Sequence, residues 1–468
     1  MKKYRFKITS DSDNSYIYFP DINLFLPEKN LKGRISLFIN DNLDKLKYYE
    51  TNVFNKNFLE NSDFEKQFYN LHLFTIEITQ NCNLRCGYCP YTGVEEEYNY
   101  TRIHNSSKMH FHTYERFCKM IIPLLNSNRR TRNFSSIFIG FYGGEPLLEK
   151  ELLIKMIEYT ENYVQPKIKD KIIFVISSNG TLFDVEFVDK VIDKNLFTML
   201  SIDGPESEHD KERKFANNKG SFSQILNNLE DIKKKYPDFI KERIAIQGVI
   251  SEKYNYKKIS SFFNTFDVPL ARLSNYARLE RFDTAIIRKL HNKTSWIYSS
   301  YINKKKSNKK INHFEKVLIN SNFEKFFKGS LPFTTKIFDS GLCSPMNFRY
   351  FLKPNEKIAI CERIGEGFEI GDVDNGINVD IVKEIYKKFW NAIKNKCDQC
   401  IARGNCGVCF ARISDNGVFD KKNSCEAEKK TFYKSLKDYI SILERNQNAF
   451  YDESKKSNEI NPFEIFEM

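Results

Sequence analysis

The stretch Cys82-Asn83-Leu84-Arg85-Cys86-Gly87-Tyr88-Cys89 places three cysteines at the spacing CxxxCxxC, directly after the apolar run Leu73–Thr79. Three thiolates on one tight loop suit a 4Fe–4S cluster, whose remaining iron then stays open to another ligand. A zinc site is the alternative, but zinc prefers four closed ligands, which usually come as CxxC pairs. The stretch therefore indicates an iron–sulfur cluster with one open iron.

The composition favours an intracellular metalloprotein with more than one domain. The chain has 468 residues, 11 cysteines and a formal net charge of +12. It begins without an apolar signal segment and contains no apolar run long enough to cross a membrane, so we expect a cytoplasmic protein whose cysteines bind metal. Its lysines alternate with Asp and Glu, which indicates a solvated surface and not a nucleic-acid site.

From Leu73 onward, apolar runs alternate with helical patterns, which predicts an α/β fold with a parallel sheet. The predicted strands are Leu73–Thr79, Ile137–Tyr142, Lys171–Ser177, Phe197–Ile202, Arg243–Ile250 and Ala271–Ser274. In the helix predicted over Tyr114–Leu125, with Thr113 as its N-cap, the expected buried stripe is Phe117, Met120, Ile121 and Leu124. Ligands of such sheets bind at the carboxyl ends of the strands.

Short glycine-containing motifs follow several of these strands. The second strand leads into Gly143-Gly144-Glu145-Pro146, the third into Ser177-Ser178-Asn179-Gly180, and the fourth into Ser201-Ile202-Asp203-Gly204-Pro205. Glycine at such a position lets the backbone approach a ligand closely, and a neighbouring carboxylate can accept a hydrogen bond from an ammonium group. The motifs therefore predict a ligand site at the same edge as the cysteine loop.

The ordered series CNLRCGYC, GGEP, SSNG and SIDGP, followed by HDKERK and GSF, resembles the radical S-adenosylmethionine (SAM) enzymes of the SPASM group over roughly residues 73–430. This resemblance implies a TIM-like partial (β/α)6 barrel, a 4Fe–4S cluster on Cys82, Cys86 and Cys89, and SAM bound to its open iron. Reduction of such a cluster splits SAM into a 5′-deoxyadenosyl radical. The resemblance also implies these SAM-binding residues: Tyr88 near the adenine; Gly143, Gly144, Glu145 and Pro146 at the amino group; Asn179 near the ribose; Ser201 and Arg213 at the carboxylate; and Ser177 and Asp203.

A second group of cysteines lies near the C-terminus. The spacing Cys397-x2-Cys400-x5-Cys406-x2-Cys409 is too compressed for a zinc ribbon, which favours iron–sulfur ligation. It resembles the SPASM domain, although one spacer is a residue shorter than usual, and so implies two auxiliary 4Fe–4S clusters. One would be bound by Cys397, Cys400, Cys406 and Cys425, and the other by Cys343, Cys361 and Cys409. The eleventh cysteine, Cys118, is expected to be a buried side chain in its helix.

Three further side chains are weaker candidates. Lys353–Glu362 predicts a β-hairpin that delivers Cys361, and Glu362 stands where sulfatase-maturing relatives have a carboxylate proposed as a base. An exposed hairpin glutamate is the alternative interpretation of Glu362. We expect His104 and His110 to lie in a surface loop, with the mouth of the site as the alternative location.

The patterns divide the chain into five segments. We expect a small N-terminal module over residues 1–72, with a helix over Leu43–Tyr69; it either binds a partner such as a leader peptide or packs over the bottom or side of the next domain. The radical SAM partial barrel then spans 73–275 and a helical connector 276–342, with an exposed Lys/Asn-rich run at 303–310. The SPASM domain spans 343–430, and a C-terminal helix and tail span 431–468.

The resemblance implies a maturase of ribosomally made precursor peptides (RiPPs). Because the cluster of Cys343, Cys361 and Cys409 has only three cysteines, its open iron can bind a substrate thiolate, or else water or a carboxylate. A substrate thiolate would favour formation of a thioether or another side-chain crosslink. The expected partners are the precursor peptide and a reducing electron donor such as flavodoxin or ferredoxin, with no nucleic acid and no membrane. The alternatives are an anaerobic sulfatase-maturing enzyme that makes formylglycine, and a non-enzymatic metal-ribbon protein that binds nucleic acid.

Overall fold

The structure is a computed structural model whose central feature is one large mixed sheet. It describes residues 5–20, 23–29, 71–89, 104–127, 136–275, 284–327, 349–362, 367–397, 399–402, 405–406, 408, 414–415, 418–419 and 424–451. Within these residues the sheet has ten strands in the order β13-β12-β11-β10-β4-β5-β6-β7-β8-β9. Strands β9 and β13 form its two edges, so the described strands do not close into a ring.

Six neighbouring strands of this sheet are parallel, which confirms the predicted α/β class. They are β4 (Leu73–Thr79), β5 (Ser136–Gly143), β6 (Lys171–Ser178), β7 (Leu196–Ser201), β8 (Ile244–Ile250) and β9 (Leu270–Asn275). Each predicted strand agrees with an observed one to within one residue at either end. Their long apolar runs are typical of parallel strands that are covered on both faces.

Helices connect these strands and pack on one face of the sheet. They are α1 (Phe111–Leu125), α2 (Lys150–Tyr159), α3 (Val185–Val191), α4 (Glu206–His209), α5 (Phe222–Lys235), α6 (Pro237–Arg243) and α7 (Tyr256–Thr265). A short 3-10 helix, Pro146–Glu149, precedes α2, and a π-helical turn, Thr160–Val164, follows it. The chain thus returns after each strand, and all six parallel strands end at one edge.

Helix α1 begins earlier than predicted. His110 is its N-cap, so the prediction of Thr113 as the cap is wrong. Thr113 is buried in the first turn, and its hydroxyl donates a hydrogen bond to Glu356 (3.0 Å), which is distant in sequence. The hydroxyl therefore does not cap the helix. Cys118 is fully buried, as expected.

The buried stripe of α1 also differs from the predicted one. The fully or nearly fully buried apolar members are Tyr114, Phe117, Cys118, Ile121 and Leu125. Met120 and Leu124 are only partly buried against the core. The observed stripe is thus rotated relative to the predicted one, and the hydroxyl of its first member, Tyr114, is hydrogen-bonded to Thr160 (2.6 Å) in the π-helical turn.

The opposite face of the six strands changes from apolar to polar along its length. Near the beginning of the strands, this face carries the cluster Leu73, Phe138, Ile173, Val175, Met199 and Ala245. Because side chains alternate between faces, the same rows continue toward the carboxyl ends as Glu77, Tyr142, Ser177, Ser201 and Gln247. A polar region therefore lies at the edge where the predicted ligand motifs follow the strands.

The sheet continues beyond β4 through strands from the C-terminal part of the chain. These are β10 (Arg349–Leu352), β11 (Lys357–Ala359), β12 (Glu369–Asp372) and β13 (Gly376–Ile377). Strand β10 pairs in parallel with β4, and β11 pairs antiparallel with β10, which confirms the predicted hairpin before Cys361. The pairing with β4 was not predicted, because nothing local in Arg349–Leu352 specifies a partner almost 300 residues away in sequence.

Helices fill most of the remaining described chain. They are α8 (Thr284–Lys306), α9 (His313–Ile319), α10 (Ser321–Phe327), α11 (Val379–Cys397) and α12 (Ser424–Arg445), with a small hairpin of β14 (Ser414–Asp415) and β15 (Val418–Phe419). The expected exposed run at 303–310 is wrong for three of its lysines, since Lys305 is buried and Lys304 and Lys306 are only partly exposed. Lys304 pairs with Glu315 (2.7 Å), and Lys305 is buried and donates to the Ala449 carbonyl (2.8 Å). Within the described part of the chain, no helix is long and apolar enough to cross a membrane.

The N-terminal segment forms a three-stranded antiparallel sheet of β1 (Phe6–Thr9), β2 (Ser15–Phe19) and β3 (Leu24–Pro27). Ile8 and Tyr18 of this sheet pack against Phe432, Leu436 and Ile440 of α12. The predicted helix over Leu43–Tyr69 lies outside the described residues.

Glu444 of α12 provides the polar part of this contact. One carboxylate oxygen accepts hydrogen bonds from Ser10 (2.9 Å), Asn14 (2.9 Å) and Tyr16 (2.8 Å). Burial opposes ionisation of Glu444, but these donors outweigh it and lower the pKa of the carboxyl group.

We expect Glu444→Gln to lower the free energy of unfolding by about 1–2 kcal/mol at neutral pH, because charge-assisted hydrogen bonds to the N-terminal sheet weaken. A lowered pKa in the folded state stabilises only above the usual carboxyl value of 4.5. The difference from the wild type should therefore shrink as the pH falls below that value. Denaturant unfolding at several pH values measures it, with the exposed Glu426→Gln as control; equal behaviour of both variants would contradict the assignment.

Candidate active site

The cysteine loop begins two residues after β4, at the edge where the parallel strands end. Cys82, Cys86 and Cys89 are free thiols, and Cys86 is buried. Burial, as the largest cause, raises the pKa of Cys82 and of Cys86 to about 12; the neighbouring thiols contribute, Cys86 acting on Cys82 and Cys89 on Cys86. The three thiols are therefore grouped in a site that disfavours free thiolates and that a bound cation would stabilise.

This donor set fits an iron–sulfur cluster better than one metal ion. Among the described residues, no three His, Cys, Asp or Glu side chains converge on a position for a single ion. A cubane cluster separates its thiolates, because each binds a different iron. Three sulfur donors on one loop are also the soft ligands that such clusters require.

A second segment pairs with the cysteine loop along its backbone. The Arg85 amide donates to the Lys214 carbonyl (2.7 Å), and the Gly87 amide donates to the Glu212 carbonyl (3.1 Å). An isolated β-bridge between Leu84 and Phe215 extends this pairing. The loop is thus held in an extended form on both sides of Cys86.

The GGEP motif closes against the chain that leads into the cysteine loop. The Gly144 amide donates to the Thr79 carbonyl (2.7 Å), and the Glu145 amide donates to the Asn81 carbonyl (2.8 Å). A side chain at Gly143 would collide with Thr79, and one at Gly144 with Asn81; Gly143 also has a φ of +142°. Both glycines are therefore required for this close approach.

Glu145 joins the GGEP motif to the SSNG motif. Its fully buried carboxylate accepts hydrogen bonds from the Leu147 amide (3.0 Å), the Ser178 hydroxyl (2.8 Å) and the Asn179 amide (2.7 Å). Burial raises the pKa of Glu145 to about 7, although these donors oppose the rise. In this structure the carboxylate links two loops, and the predicted contact of GGEP with the SAM amino group stays a prediction.

Asn179 then links the SSNG motif to the cysteines. Its side-chain nitrogen, Nδ2, donates to the Asn83 side chain (2.8 Å) and lies 3.8 Å from the Cys82 sulfur. Asn83 in turn donates to the Thr181 hydroxyl (2.8 Å). Asn83 was not predicted as a site residue, because its role depends on a loop almost 100 positions away.

Asp203 is the centre of a buried polar cluster beside Cys86. Its carboxylate accepts from Tyr88 (2.5 Å), Tyr254 (2.8 Å), Arg213 (3.0 and 3.3 Å) and the Val249 amide (2.8 Å). Burial opposes ionisation, but the Arg213 guanidinium outweighs it and holds the pKa of Asp203 below its usual value. The structure thus brings together three predicted site residues, with Arg213 paired to Asp203 and lying over the Tyr88 ring at 5.3 Å.

Gln247 connects two predicted site residues on neighbouring strands. Its side-chain nitrogen donates to the hydroxyls of Ser177 (2.5 Å) and Ser201 (3.2 Å). These groups belong to the polar rows at the carboxyl ends of β6, β7 and β8. Their predicted contacts with SAM remain predictions.

His104 lies beside the third cysteine of the loop. Its Nε2 is 4.0 Å from the Cys89 sulfur, and its Nδ1 is 3.2 Å from the Gln80 carbonyl oxygen. His104 therefore lies next to the cysteine loop, and its predicted alternative location at the mouth of the site stays a prediction. His110 is exposed at the beginning of α1, as expected for a surface residue.

Part of the second cysteine group is also brought together. Cys397 ends α11, and Cys425 lies in the first turn of α12. Burial raises the pKa of Cys406, and Glu428, Cys400 and Cys397 raise it further. Burial also raises the pKa of Cys400, and Cys425 adds to that rise. Cys400 also donates its backbone amide to the Cys397 carbonyl (3.1 Å), so these two cysteines share one turn, whereas Cys343 and Cys409 lie outside the described residues.

Glu362 is placed away from the cysteine loop. Both of its carboxylate oxygens lie 3.1 Å from Nη1 of Arg349, and the Cys361 sulfur lies 3.4 Å from one of them. Arg349 pairs with Leu73, the first residue of β4. The length of β4, roughly 20 Å at about 3.3 Å per residue, thus separates this ion pair from the cysteine loop.

Comparison with known proteins now identifies the central domain. Residues 76–257 match the family model of the Radical SAM superfamily. A cysteine-type anaerobic sulfatase-maturating enzyme of Clostridium novyi is 29% identical over 153 residues, which are 32% of this chain and 37% of that relative. The first curated relatives are matched over only 37%, 47% and 34% of their lengths.

Two further similarities extend over most of the chain. The radical SAM cyclopropyl synthase TigE of Paramaledivibacter caminithermalis is 21% identical over 97% of this chain and 90% of its own length. The solved structure of native anSMEcpe with bound AdoMet and Cp18Cys peptide covers 81% of this chain and 99% of its own, with 17% identity and a TM-score of 0.56. The latter likeness shows the fold alone. Together with the family match, these findings confirm the predicted radical SAM domain and the prediction of an enzyme.

We expect Gly144→Ala to reduce iron incorporation severalfold, because the added methyl group meets the Asn81 backbone and pushes the cysteine loop out of place. Iron analysis after anaerobic reconstitution measures the loss. Gly376→Ala is a matched control: it has a positive φ of +72° but no atom within 4 Å of the new methyl group. Equal iron contents in the two variants would show that the close approach is unnecessary.

We expect Asp203→Asn to lower the free energy of unfolding by about 3–5 kcal/mol, because it leaves the buried Arg213 guanidinium without its counter-charge. Tyr254→Phe removes one hydrogen bond to the same carboxylate and should cost only about 1 kcal/mol. Denaturant unfolding of both variants tests this difference. Similar losses would mean that the ion pair does not dominate the cluster.

Proposed function

Because residues 76–257 form a radical SAM domain, we propose that this chain is a peptide maturase that uses SAM and an iron–sulfur cluster to modify a ribosomally made precursor peptide. Cys82, Cys86 and Cys89 would bind the cluster. When bound, the cluster and SAM together supply a 5′-deoxyadenosyl radical that removes hydrogen from an unactivated C–H bond. The protein holds the cofactor and the substrate in position and excludes water.

The arrangement of three loops at one sheet edge carries this proposal. The GGEP backbone holds the entry to the cysteine loop, Glu145 ties GGEP to SSNG, and Asn179 ties SSNG back to Cys82. The Asp203–Arg213 cluster supports Cys86 from the other side. SAM would lie among these loops, within reach of the predicted contacts at Tyr88, Ser177 and Ser201.

A peptide substrate is supported by the relatives. Several curated relatives are named as sulfatase-maturating enzymes, and the anSMEcpe structure contains a bound peptide. The relative that extends over nearly the whole chain is named a cyclopropyl synthase. The polar rows that end β4–β8 offer hydrogen-bonding groups to such a substrate.

We propose a side-chain crosslink as the product. The open coordination inferred for the cluster of Cys343, Cys361 and Cys409 favours a thioether, whereas the full-length cyclopropyl synthase relative favours new carbon–carbon bonds. Co-expression with a short Cys-rich peptide encoded beside this gene tests the choice by mass spectrometry. A product that has lost two hydrogen atoms and one alkylatable thiol supports a thioether; retention of every thiol supports a carbon–carbon bond.

Formylglycine formation is the second candidate, favoured by the sulfatase-maturating relatives. Those relatives match only about a third of this chain, so they say little about the substrate. The same mass measurement discriminates, since conversion of Cys to formylglycine replaces the thiol sulfur by a carbonyl oxygen. We propose Glu362 as an acid or base for a peptide that reaches its ion pair with Arg349.

We further propose that residues 343–430 form a SPASM domain with two auxiliary 4Fe–4S clusters. The grouping of Cys397, Cys400, Cys406 and Cys425 supports one of them. Such an enzyme needs a reducing donor, such as flavodoxin or ferredoxin, and a reducing compartment such as the cytoplasm. We also propose that residues 1–72, whose strands β1–β3 pack on α12, bind the leader segment of the precursor peptide.

We expect Cys82→Ala, Cys86→Ala and Cys89→Ala each to abolish SAM cleavage, because each removes a ligand of the SAM cluster. The auxiliary clusters should remain visible by electron paramagnetic resonance, and the wild type should hold about twelve irons. Cys118→Ala is the matched control, since this thiol is buried in the core and should leave cleavage intact. Release of 5′-deoxyadenosine by any of the three cysteine variants would refute the assignment.

A further inference from the structure

The outer surface of the cysteine loop carries a fixed positive charge. Asn81, Arg85 and Gly87 are exposed, so this side of the loop faces solvent. The Arg85 guanidinium folds back over the loop and donates to the carbonyl oxygens of Cys82 (2.6 Å) and Leu84 (2.8 Å). A cation is therefore held directly over the segment that carries the cluster ligands.

Three lysines extend this charge into a patch, which we call the basic rim: Lys211, Lys214 and Lys253, together with Arg85. The Lys214 carbonyl accepts from the Arg85 amide (2.7 Å), which places the two residues side by side. Lys253 pairs with Glu212 (2.9 Å), whose backbone binds Gly87, and Lys211 donates to the Lys253 carbonyl (3.1 Å). The basic rim thus borders the exposed face of the cysteine loop.

Most acidic groups of this region are buried or half-buried, except Glu206, which is exposed; Glu208 pairs with Lys211 (2.5 Å) and Glu212 with Lys253 (2.9 Å). The side chains of Glu208 and Glu212 are only 2% and 5% exposed, whereas those of Lys211 and Lys253 are 38% and 55% exposed. Asp210 is half-buried and caps the amides of Ser221 and Phe222, and Glu252 is half-buried. The charge presented to a partner is therefore mainly positive, although the buried acids reduce its net value.

We propose that the basic rim is the docking surface for an acidic one-electron carrier protein, such as a flavodoxin or a ferredoxin. This inference rests on the proposed function, because SAM cleavage requires an electron from outside the chain. The exposed loop carries the three cysteines that would hold the SAM cluster, and electron transfer slows steeply with distance. Redox partners form small, transient contacts in which charge steering determines the association rate.

The test compares electron delivery by a protein with delivery by small molecules. The triple variant Lys211→Gln/Lys214→Gln/Lys253→Gln neutralises most of the basic rim. Its matched control is Lys233→Gln/Lys234→Gln/Lys235→Gln, which removes three ion-paired lysines at the far end of α5. Fourteen residues of α5, about 20 Å of helix, lie between that end and Ser221, which contacts Arg213.

Cluster reduction is followed by electron paramagnetic resonance, and SAM cleavage by release of 5′-deoxyadenosine, both without peptide. With reduced flavodoxin at low ionic strength, we expect the rim variant to reduce its cluster about tenfold more slowly than the wild type and the control. With dithionite, an anion, and reduced methyl viologen, a cation, all three proteins should agree within about twofold. Added salt should slow flavodoxin reduction of the wild type and the control, and should change that of the rim variant much less, because salt screens the exposed charges that the rim variant lacks.

The wild-type salt dependence keeps the test valid if the rim variant folds poorly. Flavodoxin rates that are equal in the rim variant and the control, or independent of salt in the wild type, would overturn the proposal. An equal loss with dithionite would also overturn it, since the lysines would then support the loop itself. Failure of the wild type to cleave SAM with every reductant would instead refute the proposed function.

Discussion

The site depends on one close approach of two backbone segments. The amides of Gly144 and Glu145 reach the carbonyls of Thr79 and Asn81, and this contact excludes any side chain at Gly143 or Gly144. It sets the direction in which the chain leaves β4, and hence the position of Cys82. Because the contact consists of backbone atoms, no neighbouring side chain can adjust to relieve a substitution.

Buried polar groups then keep this arrangement in one conformation. The Glu145 carboxylate accepts hydrogen bonds from Leu147 in its own segment and from Ser178 and Asn179 of the SSNG motif, and Asp203 pairs with Arg213 while accepting from two tyrosines. Buried charges of this kind add little net stability, because desolvation offsets much of their attraction. Their value lies in specificity, since any displaced loop would leave a buried charge or amide without a partner.

Negative and positive side chains around the cysteine loop lie at different depths. Carboxylates lie inside, at Asp203, Glu208 and Glu212, and most of the compensating cations lie toward solvent. A buried acid near an anionic cluster disfavours reduction, whereas a surface cation attracts an anionic donor. In our proposal, the same ion pairs that support the loop direct an electron carrier to the exposed face of the segment that would hold the cluster.

The amino-acid sequence by itself determined the six parallel strands, the cysteine loop and the glycine motifs, because each depends on local spacing or on an apolar period. It also identified Cys118 as a core residue, by its place in a helical pattern. Only the tertiary structure decided which polar groups meet: Asn83 with Thr181, His104 with Cys89, and Glu362 with Arg349. These pairs join distant segments, and a hydrogen bond leaves no periodic signal in sequence. The pairing of β10 with β4 was decided in the same way, because a short apolar strand can pair with any open edge until the rest of the fold has chosen one.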